Sequence, residues 1–189
     1  MSFYVGNTRV VITFSFLLVT TLLLLLDSQG IGWILLLSIA LHESAHLAAM
    51  RLFGIPLAEI GLYPFGVQIR RGGSQVSYGR DAVVYLAGCF GSLLVGALTF
   101  EVNSLLSAVN IALGLFNLLP VPPLDGGQAL GAICRRRLSE HQARRILPAL
   151  SAAVLVPLAC AAVFLLRCGG NFSLMITLLF LVGGLARNR

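Results

Sequence analysis

Charge is scarce in this 189-residue chain: only 11% of residues are charged, against 58% hydrophobic. A soluble domain carries about 25% charged residues. The shortage excludes an ordinary solvated surface and leaves a polytopic membrane protein. Lysine is absent, so all 13 basic residues are arginine, set against seven acids for a net charge of +6. These arginines sit at the ends of hydrophobic runs, which excludes a nucleic-acid-binding face. Cysteine is sparse too: Cys89, Cys134, Cys160 and Cys168 show no Cys-x-x-Cys spacing and no histidine neighbours, and read as small buried hydrophobes. The first apolar run lacks the polar break and Ala-x-Ala-like site of a cleavable signal peptide. Repeats and low-complexity tracts are also missing, and no soluble regulatory domain is expected.

What the chain does have is apolar length. A spanning helix needs about 20 apolar residues, and six runs qualify at 9–26, 31–53, 81–100, 103–121, 147–166 and 172–187. Polar or breaker residues separate them, as in "DSQG", "EVNS" and "RCGGN". With six spans, Arg9, Arg51, Arg70, Arg71, Arg80, Arg135, Arg136, Arg137, Arg144, Arg145, Arg187 and Arg189 share one side, and Arg167 alone falls opposite. Short cytoplasmic loops accumulate arginine, so both termini are expected in the cytoplasm. Between the second and third runs, "PLAEIGLYPFGVQIRRGGSQVSYGRD" alternates β-branched and aromatic with polar residues between Pro and Gly punctuation, and predicts two or three short strands. The expected fold is therefore an all-α polytopic membrane protein of about six transmembrane helices, with a small membrane-associated β-hairpin at 56–80. One transmembrane domain covers 1–189.

The second run contains "HESAH". On a helix, residues four apart face the same way, so His42 and His46 can both present imidazole nitrogens to one ion. Glu43 stands beside the ion and not on it. This suits zinc hydrolysis: neutral imidazoles hold Zn²⁺, the ion lowers the pKa of water to about 7, and the carboxylate takes the proton. Ser44 and Ala45 are small, as a packed neighbour would require. Each ionisable group in a lipid-embedded helix costs about 2–3 kcal/mol on insertion scales, so three within five residues require a compensating partner. His46 lies five residues before Arg51, which puts the site on the order of 10 Å inside the cytoplasmic boundary.

A catalytic zinc site usually has three protein ligands and one open position. Acids in or near the runs are Asp27, Glu59, Asp81, Glu101 and Asp125. Asp27 and Glu101 fall in outer loops, Asp81 opens a helix where the dipole favours an acid, and Glu59 belongs to the predicted hairpin. Asp125 is different, because "NLLPVPPLDGGQAL" breaks the end of the fourth run with three prolines and two glycines. Broken backbone at membrane depth is tolerated where it is buried in protein or lines a cavity. A carboxylate held there can reach a metal on a neighbouring helix, with Gly126 and Gly127 permitting a close turn; the alternative is an Asp capping a helix at 126–137. Asn117, in the apolar run before this break, needs hydrogen-bond partners, either the broken backbone or a substrate carbonyl.

Together, His42-Glu43-x-x-His46 and Asn117-x-x-Pro120-x-x-x-x-Asp125-Gly126 resemble the site-2 protease family of intramembrane zinc metalloproteases. "LYPFG" and "NLLPVPPLDGG" bring the chain nearest the branch typified by the sporulation protease that releases a mother-cell sigma factor. The resemblance runs over nearly the whole chain. It implies Zn²⁺ held by His42, His46 and Asp125, water activated by Glu43, and Asn117 positioning substrate or stabilising the oxyanion. It further implies a hairpin that binds unwound substrate as an added strand. The implied partners are the lipid bilayer, a membrane-embedded or membrane-associated regulatory protein such as a sigma-factor precursor or anti-sigma factor, and a membrane-protein inhibitor or regulator. The implied location is a bacterial cell membrane. Two departures stand out: Ser44-Ala45 where members often have glycine, and "LAGCFGS" where many have Ala-Gly-Pro. Neither is expected to touch a ligand, so both bear on packing. The competing readings are a metal-ion transporter, which would need further relay sites and repeated halves, and an inactive scaffold, against which the intact Glu43 argues. His141, in "RRRLSEHQARR", is expected to be solvated, with the neighbouring arginines at anionic headgroups.

Overall fold

The computed structural model describes residues 1–64, 66–73, 77–167 and 173–187. Cys168, Arg189, the "GGN" break and Phe65 of "LYPFG" lie outside them. In chain order the elements are β1 (Ser2–Val5), β2 (Thr8–Ile12), α1 (Phe14–Leu26), α2 (Ile31–Leu52), β3 (Leu57–Tyr63), β4 (Gly66–Arg71), α3 (Tyr78–Thr99), α4 (Ser104–Asn117), α5 (Asp125–Arg137), α6 (Glu140–Arg167) and α7 (Ser173–Arg187). The chain is mostly helical, but not all-α. It forms two compact units: Met1–Val76 with Phe90–Leu113, and Ser77–Cys89 with Gly114–Arg189.

In the first unit the strands form one sheet in the order β1-β2-β3-β4. The expected hairpin is present as β3 and β4, but it ends at Arg71, and Tyr78 already belongs to α3. The sequence reading missed its partner hairpin. β1 and β2 pair antiparallel with Val5 opposite Thr8, leaving the two-residue turn Gly6-Asn7, and β2 then runs parallel to β3. Hydropathy alone merged Val10, Val11 and Ile12 with the apolar run behind them; the turn pair and the β-branched residues were the signal for a strand. Thr13 ends the strand and caps α1, donating its hydroxyl to the Leu62 carbonyl at 2.9 Å and accepting from the Phe16 N–H at 3.2 Å.

Among the described residues, three helical stretches are long and apolar enough to cross a membrane: α2, α3 and His141–Phe164 of α6. α1, α4 and α7 have 13, 14 and 15 residues, about 20–22 Å at 1.5 Å per residue, against a hydrocarbon core of about 30 Å. Of the six expected spans, three therefore meet the length among the described residues. α1 buries no residue, and Phe14, Leu18, Leu25 and Leu26 are more than half exposed. At the α1–α2 turn, Asp27 Oδ2 accepts the Gly32 N–H at 2.7 Å and Oδ1 the Ile31 N–H at 3.1 Å. These bonds satisfy orphan donors of the helix start and hold the Asp27 carboxyl below its ordinary pKa, the Gly32 bond first. α2 stops at Gly54, whose φ of 64° is costly for other residues.

Small and polar residues pack the helices of this unit. Ser107 donates to the Gly96 carbonyl at 2.7 Å, and Asn110 Nδ2 donates to Ser38 Oγ at 2.9 Å. A side chain at Gly96 would meet Ile111 at 2.6 Å. Such contacts suit helices in lipid, where apolar burial between helices gains little and close backbone approach and buried hydrogen bonds decide the packing.

The second unit has an aliphatic core of Val121, Leu124, Leu155 and Leu181, with Phe116, Leu119, Val154, Leu158, Leu178 and Leu185 against it. α5 is an additional helix between the fourth and fifth apolar runs. α6 starts seven residues before the expected span, from a reciprocal cap in which Ser139 N donates to Gln142 Oε1 and Gln142 N to Ser139 Oγ. His141 thus lies in a first helical turn and not in a loop, and it is exposed as expected. Cys89 and Cys134 are buried free thiols, whereas Cys160 is exposed on α6, a correction to its reading as a buried residue.

Candidate metal centre

α2 buries one row of its surface, Ser38, His42, His46 and Met50, each residue one turn after the last. His42 and His46 are 4% and 7% exposed. Their rings stand edge to face at an interplanar angle of 81°, and their Nε2 atoms are 3.1 Å apart. Two nitrogens on a tetrahedral zinc at about 2.05 Å each would lie about 3.3 Å apart. The pair fits that ion. Glu43, next in sequence, is half-buried and lies about 100° round the helix from His42.

His42 uses its other nitrogen as well. Nδ1 lies 2.9 Å from the hydroxyl of Ser92 on α3, and Ser92 is fully buried. The close approach of α2 and α3 explains the contact: a side chain at Gly91 would meet the Ala45 Cβ at 2.6 Å. Ala45 is thus the small residue at a packed neighbour that the motif predicted, but Ser44 is exposed and bonds back to the Leu41 carbonyl at 2.7 Å. The expectation that "LAGCFGS" stays clear of the candidate ligands is corrected, since its last residue, Ser92, bonds His42. A Gly-Ser pair inside an otherwise apolar run was the available signal.

Glu59, one of the alternatives for a third ligand, has both carboxylate oxygens engaged. Arg9, its register partner on β2, lies 3.5 Å from one oxygen, and Arg70, its partner on β4, lies 3.6 Å from the other. Asp27 is committed to the start of α2, as described above.

In the second unit, α4 ends at Asn117, which is half-buried, and α5 begins at Asp125, also half-buried. Between them the chain is irregular and includes a cis Pro122–Pro123 bond. The first turn of α5 is seated directly on this segment. A side chain at Gly126 would run into the Leu118 carbonyl, and one at Gly127 into the Val121 carbonyl carbon and, at 2.5 Å, Pro122 N. The two glycines therefore serve a close backbone approach, as the broken-helix reading requires, and the carboxylate of Asp125 opens the helix beside them. Leu124, and not Asp125, holds the N-cap position of α5, which corrects the alternative reading of a capping Asp; Asp125 is the first residue of the helix, directly after the break.

Residues 83–158 match the profile of Peptidase family M50. A candidate zinc metalloprotease of Mycobacterium tuberculosis, Rip3, is 34% identical over 119 residues, covering 54% of this chain and 30% of the relative. The zinc metalloprotease MJ0392 of Methanocaldococcus jannaschii is 28% identical over 153 residues, covering 71% of this chain and 44% of that protein. The chain thus spans less than half the length of the curated relatives it matches. The solved structure of the site-2 protease from Methanocaldococcus jannaschii superposes with a TM-score of 0.70 at 20% identity, over 99% of this chain and 94% of that one. The two share a fold.

Proposed function

We propose that the chain is an intramembrane zinc endopeptidase that cuts a membrane-embedded or membrane-associated protein near the cytoplasmic face. The observation that carries this reading is the pair of buried imidazoles converging at 3.1 Å on a helix apolar enough to cross a membrane. With Asp125 as the third ligand, as the motif resemblance implies, two imidazoles and one carboxylate make a zinc hydrolase set that leaves one position open. Its relatives named as zinc metalloproteases favour the same ion.

When bound, the ion supplies Lewis acidity and lowers the pKa of water at the site. Glu43, one residue round the helix from His42, takes the proton from the attacking water and returns it to the departing amine. Asn117, on the last turn of α4, offers an amide N–H to the carbonyl oxygen as its negative charge builds. A helical substrate hides its peptide bonds, so it must be extended first; β4, an edge strand of the sheet, can hold it by strand addition. In this reading α1, α4 and α7 also lie in the bilayer, giving six membrane helices in one catalytic domain over 1–189 with both termini cytoplasmic, as the arginine distribution favours. "LYPFG" and "NLLPVPPLDGG" favour the sporulation branch and a regulatory substrate such as a sigma-factor precursor or anti-sigma factor.

Glu43→Gln is the test. The variant is expected to keep one zinc per chain while cleavage falls by about 10²–10⁴-fold, the usual contribution of a general base. In quantitative proteomics an uncut membrane precursor then accumulates only in cells carrying the variant. Cleavage retained in Glu43→Gln with zinc still bound refutes the role of Glu43.

A further inference from the structure

A neutral imidazole has one N–H and one lone pair, on different nitrogens. Zinc takes the lone pair, so a His that binds through Nε2 must carry its proton on Nδ1, and a buried N–H needs an acceptor. His42 Nε2 faces His46 Nε2 at 3.1 Å, and His42 Nδ1 faces Ser92 Oγ at 2.9 Å. Both residues are shielded, His42 at 4% and Ser92 at 0% exposure. Gly91, beside Ser92, brings α3 close enough to α2 for the contact.

We infer that Ser92 is a positioning residue of the metal site: its hydroxyl oxygen accepts the Nδ1–H of His42, fixes that tautomer and aims Nε2 at the ion. The inference rests on the reading of His42 as a zinc ligand. The same contact gives the ring a second anchor besides its own helix, so that it does not turn about χ2. In the metal-free protein this arrangement is self-consistent, because a His42 Nε2 lone pair can accept the Nε2–H of His46 across their 3.1 Å separation.

The experiment uses the full chain purified in detergent micelles. Zinc affinity is measured by competition with a chromophoric chelator, and the His42 tautomer is read from ¹⁵N-histidine spectra of the metal-free protein. Ser92→Ala is expected to weaken zinc binding by about 10- to 100-fold, the usual cost of losing such a partner, and to reduce the Nδ1–H tautomer of His42. Ser92→Cys, of similar volume but with a weak acceptor, should fall between the two and keeps the test open if the alanine variant does not fold. Ser107→Ala removes another buried hydroxyl of the same unit, bonded to the Gly96 carbonyl, and should leave both readouts unchanged. Zinc binding and tautomer as in the native protein for Ser92→Ala and Ser92→Cys overturn the inference, as does an equal loss in Ser107→Ala. Failure of the native chain to bind zinc sinks the metal-site reading instead, and is a different result.

Discussion

Replacing Gly91 by alanine would put a methyl group 2.6 Å from the Ala45 Cβ, where carbons pack at about 3.5–4.0 Å. α2 and α3 must then part by about 1 Å. Overpacking of this kind costs about 1–3 kcal/mol. Ser92 moves with its neighbour, so its 2.9 Å contact with His42 stretches towards the limit at which a hydrogen bond ceases to count. The assay is a double-mutant cycle on unfolding in micelles, with Gly91→Ala, Ala45→Gly and the pair. Ala45→Gly alone costs about 1 kcal/mol of helix propensity, but it removes the methyl that clashes. The pair should therefore be more stable than the two single effects predict, with a coupling of about 1–3 kcal/mol. A coupling below about 0.5 kcal/mol, or a Gly91→Ala chain as stable as the native one, would show that the helices do not meet at this point.

Two further outcomes are expected. Glu59→Gln breaks ion pairs whose arginine side chains are 48% and 66% exposed; exposed pairs contribute about 0–1 kcal/mol, so unfolding shifts little and shrinks further with salt, while the zinc content stays at the native value. A loss of zinc in that variant would restore Glu59 as a ligand. At the α1–α2 turn, the Asp27 carboxyl is held below its ordinary value of 3.8, so its contribution is fully present above that pH and is lost as pH falls below it. The protection factor of the Gly32 amide, its exchange relative to the intrinsic rate at the same pH, should therefore fall on acidification in the native chain, and already be low and free of this pH dependence in Asp27→Asn. Equal protection in the two chains would contradict the capping role.

Much of the site was legible because lipid makes polar residues conspicuous. Three ionisable groups within five residues of an apolar run require a purpose, and a helix period of 3.6 puts His42 and His46 on one row without knowledge of any neighbour. The Pro-Gly break around Asp125 announced itself in the same way. The fold was less legible at its N-terminus, where Val10, Val11 and Ile12 of the strand run almost without a break into the apolar residues of the helix that follows. A hydropathy count has no period in it, and the pairing that makes this segment a strand lies about fifty residues away at Arg9↔Glu59. The same long-range pairing engages Glu59, which in sequence stood among the acids considered for a third ligand.

Sequence by itself determined the solvent this protein folds in, the helix that carries the two imidazoles and the carboxylate beside them, because those follow from composition and from the periodicity of one segment. Only tertiary structure decided what stands behind the imidazoles. Ser92 is fifty residues from His42 in the chain, and it reaches Nδ1 because Gly91 and Ala45 together leave no bulk between two helices. No local pattern encodes that distance; it is set by where two backbones come to rest against each other.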